Sequence, residues 1–249
     1  MSPPSLSRTL LRALLWLVVA FFAGTLGAFV VGFVCGLING AKIGVISQAN
    51  LQGATFIGAL ICAAFAFERG ARREAGRSAD PRIRASVERQ PIRRWPVVAL
   101  ACILLTPFAI FLAIVLARVS PAMQQANLAT NPVLLAMAAL LVTTVTPFAE
   151  EIFFRGWLWT ALSLRIGVVG AAFLSGFLFL FAHGTEALLR GQLAGAGARA
   201  LILLPLVIGL SIVRARCGSP RASMIVHGLY NFAVVAAPPL LIRSGLLGG

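Results

Sequence analysis

The stretch Ala149–Trp157, AEEIFFRGW, places two adjacent carboxylates and an arginine inside an apolar run that extends from about Val133 to Leu164. Such a run is long enough for a membrane-spanning helix, and each ionisable residue at its centre costs roughly 2.5–3.5 kcal/mol to insert. Groups retained at that cost are paired, functional, or both. At 100° per residue, Glu151 and Arg155 (i, i+4) share a helix face, whereas Glu150 points about 100° away. Glu151 is therefore expected to be held by Arg155, and Glu150 to face a cavity. A structural ion pair accounts for Glu151 and Arg155 but not for the second carboxylate beside them.

Composition sets the class. Apolar residues make up 59% of the 249-residue chain, and mean hydropathy is +0.95, both outside the range of soluble domains. The apolar runs are continuous rather than alternating, which excludes a β-barrel. The reading is an all-α, polytopic transmembrane helical bundle of about seven to eight spans. The formal net charge of +14 comes from arginines between the apolar runs, where they meet anionic lipid headgroups and set orientation. No nucleic-acid-binding motif accompanies them. Cys35, Cys62, Cys102 and Cys217 show no CxxC or metal spacing and read as small core residues.

Taken in order, the spans are Ala13–Ile38, Leu51–Phe67, Pro96–Ala117, Pro132–Leu164, Val168–Ala182, Ala200–Val213 and Ala222–Ile242. The first is too long for a cleaved signal peptide and is read as retained. Gly24, Gly27, Gly32 and Gly36 suit close helix–helix approach. Two regions result: residues 1–131, with three spans and an Arg-rich segment at 68–95 read as a solvated loop, and residues 132–249. Pro147 is expected to bend or break the fourth span, and Gly184–Arg199 to be irregular. With the N-terminus cytoplasmic, sixteen basic residues fall on the cytoplasmic side and five on the other. The positive-inside rule therefore selects that orientation. The expected location is a plasma membrane of bacterial type.

Beyond Glu88 the chain has three acidic residues, Glu150, Glu151 and Glu186, and it has two histidines in all, His183 and His227. His183 ends FLFLFAH, with Phe179 one turn earlier on the same face. A turn near Arg165–Gly167 makes the fourth and fifth spans an antiparallel hairpin and puts Glu150 opposite His183. His227 and Asn231 in HGLYN are i, i+4 on the last span, a pair suited to donating to an oxyanion. One mismatch stands in this layout. His227 lies ~9 Å from its loop by helical rise, while Glu150 and His183 lie ~24 Å from their turn. Breaks at Pro147 or within 184–199 would be needed to bring the depths together.

These motifs carry a resemblance. EEIFFRG resembles the EExxxR motif of the CPBP intramembrane proteases, the CAAX-protease and bacteriocin-processing family. FLFLFAH is similar to that family's FxxxH motif and HGLYN to its HxxxN motif. The likeness covers roughly Pro132–Ala236. It implies an endopeptidase that hydrolyses a peptide bond of a membrane-associated protein or peptide. Glu150 would activate water with help from His183, and His227 with Asn231 would stabilise the oxyanion. Glu151, Arg155 and Phe179 would support the site. Glu150, His183 and His227 could also hold zinc, with water in the fourth place. There is no HExxH motif, however, and the resemblance favours a metal-free glutamate mechanism. Other functions weighed for the same residues are a non-catalytic scaffold or immunity protein, and a transporter using Glu150 and His183 as a proton relay. A transporter is expected to show internal repeats, and the chain shows none.

Overall fold

The computed structural model describes residues 5–40, 46–88, 90–119 and 132–235, and among these there is no strand. The helices are α1 (Leu6–Gly40), α2 (Gln48–Gly76), α3 (Pro81–Ala85) and α4 (Trp95–Val119), followed by one long interrupted stretch. That stretch comprises α5 (Pro132–Leu140), a π-helical segment π1 (Leu141–Val145), α6 (Thr146–Glu151), a second π-helical segment π2 (Ile152–Leu158) and α7 (Trp159–Leu189). Then come α8 (Leu193–Cys217) and α9 (Pro220–Val235). Five helical stretches are long and apolar enough to cross a membrane. The protein is an integral membrane protein with an all-helical fold. The ends predicted for the last span, at Pro238-Pro239, and the polar connector before Pro132 lie outside the described residues.

α1 and α2 form a hairpin held by close backbone approach. A Cβ built on Gly27 would lie 2.3 Å from the Gly58 carbonyl oxygen, and Gly70 lies under the Trp16 ring. At one end of the hairpin, buried Glu74 accepts from Arg12 at 2.9 Å and from the Trp16 indole at 3.3 Å. α2 therefore runs nine residues past the predicted end of its span, into the segment expected to be a loop. The reason is the stripe Phe67, Ala71 and Ala75, spaced i, i+4, i+8, which is buried although arginines surround it. Asp80 then caps α3, accepting from the Arg82 amide at 2.9 Å, with Pro81 at the first helical position.

The predicted irregular region 184–199 is almost entirely helical. The chain breaks only around Arg190–Gln192, where Gly191 takes φ 70°. The hairpin turn is at Gly167, whose φ of 74° needs glycine. Pro147 does not break the helix either. It sits at the start of α6, directly after π1.

These corrections remove the depth mismatch. The Arg155 carbonyl is met by Arg214 near the end of α8, and Gly156 abuts the Ser86 carbonyl. Residues 155–162 are all buried, packed under Ala71, Ala75, Ile83 and Val87. They form a layer at the end of the bundle that carries the Arg-rich segment. The helix thus continues past the level of Arg155 for about ten residues, roughly 15 Å, before it turns. Measured from that level rather than from the turn, Glu150, His183 and His227 lie at a common depth.

Candidate active site

The proline that precedes the acidic pair shapes the site. Residue 147 has no N–H and can donate neither to the Thr143 carbonyl (i−4) nor to that of Val142 (i−5). The Thr146 amide is already turned to the Leu141 carbonyl, five residues back. The Asn231 side-chain amide of α9 supplies the missing donor, reaching the Val142 carbonyl at 3.0 Å. One turn earlier on α9, a Cβ on Gly228 would lie 2.4 Å from the Thr143 carbonyl oxygen, so only glycine admits this approach. The π segment and α9 therefore interlock, and this contact sets the position of His227 against α6.

Across the junction of α6 and π2, Glu151 and Arg155 form the expected pair, Nη1 to Oε1 at 3.1 Å, with both side chains fully buried. The same Oε1 also takes His227 Nδ1 at 3.0 Å, a partnership that helical spacing alone could not reveal. His227 then presents Nε2 to Glu150 Oε2 at 3.9 Å, and His183 presents Nε2 to Glu150 Oε1 at 3.9 Å. His183 is held through Nδ1, which donates to the Phe179 carbonyl at 2.9 Å. Glu150 therefore has an imidazole on each side, and neither is within direct hydrogen-bonding distance.

Phe179 is the hub of the cluster. Its ring stacks on His183 at 4.3 Å between centroids and meets His227 edge-on at 5.7 Å. The Arg155 guanidinium lies 4.6 Å from its centroid. This cation–π contact faces a guanidinium whose Nε and Nη2 have no hydrogen-bond partner among the described residues. Phe179 thereby joins the ion pair to the histidines. Asn231 is one turn from His227, with its side-chain amide engaged by the Val142 carbonyl.

Each histidine has its Nδ1 on an oxygen acceptor, so each Nδ1 carries a proton and each Nε2 is left for chemistry at Glu150. Fixed tautomers of this kind are also found around metals. Yet no group of three or more His, Cys, Asp or Glu among the described residues is close enough to hold a metal ion.

Glu150 and His183 open onto a cavity of about 550 Å³. Its walls come from α1 (Leu14, Leu17, Val18, Phe21, Phe22), from Phe67 of α2, and from Phe181 and Leu189 of α7, with Thr185 the only other polar group among the described residues. Glu151 does not line it. The floor of this apolar cavity thus presents a carboxylate beside an imidazole, with His227 buried behind them. Residues 132–233 match the family described as Rce1-like, type II CAAX prenyl endopeptidase Rce1-like. That stretch, which holds Glu150, His183, His227 and Asn231, is thus similar to a prenyl endopeptidase family, and residues 1–131 lie outside the match. No curated protein and no solved structure matches the chain.

Proposed function

We propose that the protein is an intramembrane endopeptidase in which Glu150 activates water for attack on a peptide bond of a membrane-associated protein or peptide. The observation that carries this reading is the position of Glu150. It is the one carboxylate of the adjacent pair that faces the cavity, and both histidine Nε2 atoms are turned to it. Water between Glu150 and His183 gives up a proton to Glu150, and the hydroxide adds to the scissile carbonyl carbon. The oxyanion that forms is met by His227 and Asn231, one turn apart on α9. As the tetrahedral intermediate collapses, the C–N bond breaks. Glu150 then passes its proton to the leaving amine, so the base returns to its starting state. No step requires a metal.

The site is set in the cytoplasmic half of a plasma membrane of bacterial type, with the N-terminus and the Arg-rich segment cytoplasmic. The number of arginines gathered at one end of the bundle supports that orientation. The test uses purified protein in detergent with a peptide library. Wild type should cleave, chelator should leave the rate unchanged, and Glu150→Gln should abolish turnover. Cleavage that chelator removes and zinc restores would assign a metal mechanism. Cleavage by Glu150→Gln at the wild-type rate would overturn the role of Glu150.

A further inference from the structure

We infer that α1, which lies wholly outside the family-matched region, is the specificity-determining wall of the site, and that an apolar segment of the substrate reaches Glu150 sideways from the lipid between α1 and α7. This rests on the endopeptidase reading and adds what that reading leaves open, namely which residues select the substrate.

Three observations carry it. First, Leu14, Val18, Phe21 and Phe22 of α1 form one side of the cavity whose floor holds Glu150 and His183. Positions 14, 18 and 21 or 22 recur at helical spacing, so one face of α1 is turned to the catalytic side chains. Second, α1 is fastened mainly to α2 and meets α7 only sparsely. The Gly27–Gly58 approach, the Trp16–Gly70 contact and the Glu74 hydrogen bonds all lie within the α1–α2 hairpin. Between α1 and α7 stands the cavity itself. Third, the facing residues remain open: Val18 is 51%, Phe22 64%, Phe181 42% and Leu189 67% exposed. In a membrane protein such a gap faces hydrocarbon, so an apolar chain passes from lipid to cavity without crossing water.

The lining also fixes the chemistry of the occupant. A cavity of this size is within the range that holds a sizeable ligand, and its polar groups converge on one spot. The occupant is therefore apolar along α1 and polar only where its scissile bond meets Glu150.

The test uses peptides of one sequence that carry a hydrocarbon chain of increasing length, each with a photoreactive group at the chain end. Val18→Trp fills the cavity and Phe22→Ala enlarges it. Leu15→Trp adds the same bulk to the part of α1 that does not line the cavity. Val18→Trp should lower kcat/KM for the long-chain peptide relative to the short-chain one by roughly 10–200-fold, the range for a change of this kind in an apolar pocket. Phe22→Ala should shift preference towards longer chains, and Leu15→Trp should leave the ratio as in wild type. An unchanged ratio in Val18→Trp, or an equal change in Leu15→Trp, would overturn the assignment. Cross-linking in the Glu150→Gln protein separates this inference from the protease reading. Photolabelling of α1 at Val18 and Phe22, competed by unlabelled long-chain peptide, supports the wall whether or not wild type cleaves. Labelling confined to other helices, or label displaced equally by lipid alone, sinks it.

Discussion

Glu150 and Glu151 are chemically the same side chain one position apart, and their surroundings give them opposite duties. Glu151 is fully buried, bound to Arg155 and His227, and cut off from the cavity. Glu150 makes no contact shorter than 3.9 Å to either imidazole and opens on the cavity. Glu150→Gln should therefore abolish cleavage while the unfolding temperature stays near that of wild type, since no close ion pair is lost. Glu151→Gln keeps an oxygen for His227 Nδ1 but strands the Arg155 cation. Breaking a buried pair on one side costs roughly 3–5 kcal/mol, so thermal unfolding of that variant should occur well below wild type. If instead the two variants are equally stable, the division of duties between the carboxylates is wrong. Phe179→Leu preserves bulk but removes the stack on His183 and the face presented to Arg155. Its rate should fall by roughly 10²-fold with expression nearly intact, because small displacements of a catalytic group cost that much.

At the scale of the element, the two π segments bracket the six residues that hold the acidic pair. π segments recur at functional sites because they turn carbonyls out of the helical ladder and change which faces meet. Here Asn231 meets Val142, and Arg214 meets Arg155 at 2.6 Å and Thr160 at 3.2 Å. Asn231→Ala leaves the Val142 carbonyl without that donor, which should cost about 1–3 kcal/mol in stability and lower the rate besides. Pro147→Ala supplies an N–H for the carbonyls that proline leaves bare. The Pro147→Ala, Asn231→Ala double variant should then be more stable than Asn231→Ala alone, a coupling readable by thermal unfolding. Simple additivity of the two changes would show that the proline is not what Asn231 compensates. Gly228→Ala should be severe, since its methyl would meet backbone at 2.4 Å and force α9 with His227 away from π1. Loss of cleavage without unfolding is the expected result.

Across the whole molecule, one end of the bundle collects the first turns of α1, the Arg-rich segment, the layer 155–162 and the start of α9. Cross-links between these parts include Cys217 to the Arg94 carbonyl and Ser219 to the Gln90 carbonyl. The described residues of the 68–95 segment therefore pack over residues 155–162 rather than forming a free loop. Its orientation can be tested with single cysteines on intact cells. Ala79→Cys, at an exposed position, should resist a membrane-impermeant thiol reagent added outside and react after permeabilisation. Outside labelling before permeabilisation would invert the topology. Ser86 is unsuitable for the same test because it is buried, with its hydroxyl on the Ile83 carbonyl at 2.6 Å.

Sequence by itself determined what depends on local period and on transfer cost. The apolar runs give the membrane class, i, i+4 spacing gives the Glu151–Arg155 pair, and the antiparallel count about the turn puts Glu150 opposite His183. Each of these is a relation within one helix or across one hairpin. Tertiary structure alone decided that His227 leans on Glu151, that Asn231 serves the Val142 carbonyl, and that α1 walls the cavity. It also decided that residues 155–162 form a layer under the Arg-rich segment, which brings Glu150, His183 and His227 to one depth. Those relations depend on how closely two distant helices approach and on which carbonyls a π segment exposes. The spacing of apolar residues along one chain encodes neither.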